Sequence, residues 1–227
     1  MDMRSKLEVY FWVHDRSLKH ILPVTMRPKK GSFEVRCSVQ GELIVLVVDA
    51  TANIKGFEHE MTKGIVADMQ KAGVAVTSNS PVLASDLNSF KEAFGAQEPW
   101  NSLLLVSHGR AALDGSDYLR LTDLRANWFL ANTIDMKLED KAVFLAVCEG
   151  ACQDATYVLL RDQAALLLTA PTSTLLADEA RAFFPPVFAE LLGNTEITPE
   201  DVDAAVKKHA AHARGKMTLL SAVGLTE

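Results

Sequence analysis

The chain has 227 residues, 48% of them hydrophobic and 23% charged, with a formal net charge of −6 and three cysteines. That balance belongs to an ordinary folded domain and excludes a disordered tail, a collagen-like repeat and a disulfide-stapled miniprotein. An acidic chain with no run near the roughly 18 apolar residues of a membrane span is expected to bind neither nucleic acid nor membrane. Cys37, Cys148 and Cys152, an odd set, suit reduced thiols in the cytoplasm.

Leu7, Val9, Phe11 and Val13 alternate with Glu8, Tyr10, Trp12 and His14, the two-residue period of a half-buried strand and not the continuous apolar run of a secretory leader. After a basic turn from Arg27 to Gly31, Phe33, Val35, Cys37 and Val39 alternate again. Residues 1–40 are therefore expected to be antiparallel strands added to the edge of a larger sheet. From Leu43 the pattern changes to continuous apolar runs separated by amphipathic stretches, the mark of a mostly parallel sheet covered on both faces. Leu43 to Val48 is the first buried strand, and Phe57, Met61, Ile65 and Met69 recur every four residues in a helix ended by Gly73. Val74 to Val76 is a short strand, and Ser85 is the expected N-cap of a helix that buries Leu87, Phe90 and Phe94 before Gly95.

Leu103 to Val106 is the next strand and runs into Ser107-His108-Gly109. After an insert, Val143 to Val147 runs into Cys148-Glu149-Gly150, with a helix expected over 153–162. Ala164 to Thr169 is a further strand, followed by a helix from Asp178 to Leu192 that Pro185-Pro186 should break. A last helix spans 199–214, with Pro199 in its first turn and Gly215 after it. The order predicts one α/β domain over 1–227: a strand extension at 1–40, a doubly wound core at 41–193, and a helix with tail at 194–227.

In open parallel sheets, chemistry sits outside the carboxyl ends of the strands. Two reactive residue types fall there, His108 and Cys148. On neighbouring strands, whose axes lie about 4.8 Å apart, the two would converge above one edge. A helix start just after Cys148 favours a thiolate, and an imidazole beside it supplies a proton for a leaving group. Gly109, with no Cβ, lets its amide approach a substrate oxyanion, and the Cys148 amide is the second donor. Each residue alone has a plain structural reading, a turn or a small core hydrophobe; the pairing is the signal.

The segments LLLVSHGR, DYLRLTDLRANWF and KAVFLAVCEGACQDA, with the downstream APTSTLLADEARAFFPPVFAELL, resemble the caspase-like (clan CD) cysteine peptidases, and among them the CHAT group. The resemblance covers roughly residues 41–193. It implies a caspase-like α/β/α sandwich, a His108–Cys148 dyad, an oxyanion hole from Gly109 and Cys148, and cleavage of a protein substrate with no metal or organic cofactor. It departs from the group at Val147, where many relatives carry Ala or Ser, and in lacking a helical-repeat region before the domain. Any sensing or scaffolding part is then expected on a regulatory partner chain or not at all. The position after the first strand, Asp49, is implied as a pocket carboxylate favouring a basic residue at the cleavage site, with turn capping as the equal alternative; Asp114 and Asp117 are weaker candidates.

Other constellations carry less. Cys148 and Cys152 share a helix face but lack the C-x-x-C spacing, and His209 with His212 want further ligands for a metal. His59-Glu60 has no second His at zincin spacing, and G-x-S-x-G, P-loop and G-x-G-x-x-G patterns are absent from the sequence. Two rivals to the peptidase remain: a catalytically silent caspase-like module that binds a partner protein, and a receiver- or flavodoxin-like domain built on Asp49.

Overall fold

Where the continuous apolar runs begin, the chain builds a sheet buried on both faces. A computed structural model describes residues 7–10, 22–24, 38–51, 57–95, 98–111, 117–121, 124–127, 136–151, 159–160, 165–221 and 223–225. Strands β4 (Ile44–Asp49), β7 (Ser102–Ala111), β10 (Ala142–Val147) and β11 (Leu167–Pro171) lie side by side in parallel. The short β5 (Ala75–Val76) and β6 (Val82–Leu83) pair in parallel with β4, and β13 (Met217–Ser221) closes the other edge antiparallel to β11. The order β13-β11-β10-β7-β4-β5 reverses direction of growth at β4, the kind of switch point beside which open α/β sheets generally take ligands.

Alternate residues of each strand feed two separate cores. One face carries Val45, Val47, Leu104, Val106, Phe144 and Ala146, and is covered by helices α1 (Phe57–Lys71), α3 (Ala177–Glu190) and α4 (Pro199–His209). The other carries Val48, Leu103, Leu105, Val143, Leu145 and Val147, and is covered by α2 (Leu87–Ala93) and the segment at Leu159 and Leu160. Helices on both faces of a mostly parallel sheet make a three-layer α/β arrangement.

Several expectations shift in detail. Residues 7–10 (β1) pair on one side with 22–24 (β2) and on the other with β14 (Val223–Leu225) in a separate antiparallel sheet, and β3 (Val39–Gln40) pairs with β12 (Glu196–Ile197); their partners are thus other than the edge of the large sheet. The rest of 1–37 lies outside the described residues. The α2 cap is Asp86 instead of Ser85, because Asp86 accepts from the Ser89 amide at 2.9 Å while the Ser89 hydroxyl caps the Asp86 amide at 3.0 Å. Helix α3 runs through Pro185 and Pro186 without ending. Phe183, Phe184, Val187 and Phe188 around the prolines are fully buried, and that burial offsets the lost amide donors. The last helix ends at His209, continues as a 3-10 turn over Ala210–Ala213, and reverses through Arg214 and Gly215 at positive φ.

Candidate active site

β7 does not stop where its apolar run stops. It pairs in parallel with β4 as far as Val106 and with β10 as far as Ser107, then pairs antiparallel with β8 (Asp117–Leu121) from His108 onward, His108 opposite Arg120. β8 returns through β9 (Leu124–Asn127), so the expected insert is a hairpin built on the same strand. His108 therefore lies inside β7, at the residue where its neighbours change.

On β10 the last paired residue is Val147, opposite Ser107. The next register positions are Cys148 and His108, on strands about 4.8 Å apart. Leu104 and Val106 precede His108 on the α1–α3 face, and Phe144 and Ala146 precede Cys148 on that same face. The alternation directs both side chains to that side of the sheet. Two contacts agree with it: His108 Nε2 lies 4.0 Å from the Glu58 carboxylate in the first turn of α1, and the Cys148 thiol donates to the Leu175 carbonyl at 3.6 Å, just before α3. Cys148 is a free, half-buried thiol. The partner of each group is thus a third residue.

Gly109 is pressed against the end of β10. A Cβ built there would lie 2.4 Å from Val147 Cγ1 and 2.5 Å from the Cys148 carbonyl oxygen, closer than real atoms approach. Only glycine lets β7 and β10 meet here. Beyond Cys148 the chain turns sharply: the Gly150 amide donates to Val147 at 2.9 Å, and Glu149 takes φ +58, a left-handed conformation costing a residue with Cβ about 1–2 kcal/mol. The Glu149 and Ala151 amides are spent on the Ser173 and Pro171 carbonyls at 3.1 and 2.9 Å. The Cys148 amide directly follows the last ladder pair of β10, Val147 opposite Ser107. The helix expected over 153–162 lies mostly outside the described residues, as do Cys152 and Asp114; Asp117 begins β8.

Asp49 is wholly buried at the end of β4 and fully engaged. One oxygen accepts from the Thr51 amide at 3.0 Å and its hydroxyl at 2.6 Å, and the other meets His59 Nδ1 of α1 at 2.7 Å. This places Asp49 in a buried bond network that anchors the start of α1, the capping alternative, and away from a substrate-facing surface. Glu58, adjacent to the anchored His59, is the carboxylate at the rim, its side chain 36% exposed. Nothing in the sequence marks Glu58, because an acidic residue in a first helical turn is ordinary. His209 and His212 stack at 5.9 Å between ring centroids, His209 beside Glu190 at 3.8 Å; among the described residues no set of three or more His, Cys, Asp or Glu converges as a metal site. Among the described residues no helix is long and apolar enough to cross a membrane.

Phe57 and Leu176 are the exposed large apolar side chains among the described residues, at 72% and 43% exposure. They precede Glu58 and follow Leu175 in the chain, and so flank the two groups that touch His108 and Cys148. No protein-family model matches the chain, and no curated protein matches it significantly; the geometry of the site is what bears on its function.

Proposed function

We propose that the chain is a cysteine endopeptidase of caspase-like, CHAT-type fold, acting on a protein substrate with Cys148 as nucleophile and His108 as general acid and base. The observation that carries this reading is that His108 and Cys148 each follow directly on the last ladder pair of neighbouring strands, Ser107 opposite Val147, with Gly109 pinned against the Cys148 carbonyl. In the first step, Cys148 Sγ gives its proton to His108 and attacks the scissile carbonyl carbon. The oxyanion that forms is held by the Gly109 and Cys148 amides. The C–N bond then breaks as His108 returns the proton to the departing amine, leaving a thioester. Water attacks the thioester with His108 taking its proton, the S–C bond breaks, and the thiol reforms.

Asp49 is occupied by Thr51 and His59, so a preference for a basic residue at the cleavage site falls to Glu58, half-exposed at the same rim. Phe57 and Leu176 offer apolar contacts on either side of the bond to be cut. A reactive thiol of this kind works in a reducing compartment, the cytoplasm, and under the control of a regulatory partner chain. Hydrolysis of a peptide library tests the proposal: Cys148→Ala and His108→Ala should each reduce cleavage to background, and unchanged cleavage by Cys148→Ala would end it.

One observation favours a second reading. The thiol donates to Leu175 and the imidazole faces Glu58, an arrangement that also suits a silent caspase-like module acting through a bound protein. Alkylation of Cys148 with a pH midpoint at or above about 8.5, unaffected by His108→Ala, would support the silent module.

A further inference from the structure

We propose that Glu179 is a positioning residue that restrains the Cys148 thiol through the segment 171–176, a proposal that rests on the reading of Cys148 as the reactive residue. This segment runs from the last residue of β11 to the start of α3, and its alternate carbonyls face the turn after β10. Pro171 accepts from the Ala151 amide, Ser173 from the Glu149 amide, and Leu175 from the Cys148 thiol at 3.6 Å. The conformation of the Cys148 turn and the partner of its sulfur are therefore both set by one short stretch of backbone.

That stretch is fastened at both ends. At its start, the amide and hydroxyl of Thr172 donate to the Lys216 carbonyl at 2.8 and 3.0 Å. At its end, the Leu176 amide donates to Glu179 Oε2 at 2.9 Å. Glu179 joins the two fastenings, because the Lys216 ammonium lies 2.7 and 3.0 Å from its oxygens and Arg214 Nε lies 2.9 Å away. The carboxylate is 4% exposed, with its oxygens committed to holding the segment. A buried charge so completely bonded has one geometry, and the backbone it binds inherits that geometry.

The consequence for sulfur is chemical. A carbonyl that accepts from a thiol fixes the direction of the S–H bond and occupies the sulfur's one donor. With the segment fastened, the Cys148 thiol points its hydrogen at Leu175 and not at His108. Released, the segment frees the sulfur to turn toward the imidazole.

Peptide-resolved alkylation by iodoacetamide, read by mass spectrometry across a pH series, tests this without reference to proteolysis. Glu179→Gln should raise the rate at Cys148 near neutral pH by up to about tenfold, because the sulfur is no longer held against Leu175. The gain should be selective for Cys148 over Cys37 and Cys152, and hydrogen exchange at the Glu149 and Ala151 amides should quicken with it. An unchanged or slower rate at Cys148 in the folded variant would overturn the proposal. Should Glu179→Gln fail to fold, Lys216→Met carries the same test with the same two outcomes. Selective acceleration in a chain that cleaves no peptide would leave the restraint standing and remove the peptidase reading.

Discussion

Gly109 stands so close to Cys148 that a methyl group on its Cα would fall 2.5 Å from the Cys148 carbonyl oxygen. The contact joins the residue after the candidate base to the candidate nucleophile, and it requires the smallest side chain in the protein alphabet. Gly109→Ala should push β7 and β10 apart at this level. The expected cost is about 1–3 kcal/mol of stability, as for other overpacked sites. Cleavage should fall further, by about a hundredfold, because a shift near 1 Å disturbs attack geometry. Thermal unfolding and peptide hydrolysis on the same preparation check the two effects together.

Asp49 and His59 predict the opposite balance. Their 2.7 Å contact is buried, and the carboxylate also holds Thr51, so its loss acts first on the fold. Asp49→Asn should lower stability by about 1–3 kcal/mol through weakened charge-assisted bonds, while leaving any preference for the residue before the scissile bond unchanged. Denaturant unfolding and a cleavage screen measure these outcomes. A lost preference for basic residues would return Asp49 to the substrate pocket.

Much of this arrangement is legible in the sequence, for physical reasons that differ by element. Parallel strands buried on both faces must be apolar at nearly every position, which is why Leu103 to Val106 and Val143 to Val147 stand out. A thiol and an imidazole just past such runs are equally visible. The hairpin after Ala111 and the edge strand Met217–Ser221 are less so, since neither sequence carries a long continuous apolar run or a tight-turn signature. The burial of His59 follows from a carboxylate ten residues away that only the fold brings against it. The carbonyls of Ser173 and Leu175 leave no trace in composition at all, because every residue carries one.

Acid should expose the part played by Glu179. Burial pushes its carboxyl up, but the Leu176 amide, Lys216 and Arg214 outweigh that and hold it below the ordinary carboxylate range. A folded-state value depressed in this way contributes stability that is complete above the unfolded value near 4.3 and is lost as pH falls through the folded value. Unfolding midpoints followed from pH 7 downward should therefore drop more steeply in the natural chain than in Glu179→Gln. The variant starts less stable, and the two curves should converge in acid.

Under the proposed function, Phe57 and Leu176 act on substrate binding and not on stability. Both are exposed at the starts of helices flanking the site, so Phe57→Ser and Leu176→Ser should change unfolding by no more than about 0.5 kcal/mol. Each should weaken turnover of extended peptides by raising KM, with short substrates less affected. Steady-state kinetics on peptides of graded length measures this; equal KM values for long and short substrates in the variants would contradict it.

The most direct measurement is covalent labelling by a peptidyl acyloxymethyl ketone, mapped by mass spectrometry in the natural chain and in His108→Ala. A sulfur and an imidazole working as one unit predict modification at Cys148 that slows by about a hundredfold or more when the imidazole is removed. Labelling that proceeds at the same rate in His108→Ala, or that maps to Cys37 or Cys152 instead, would contradict the account.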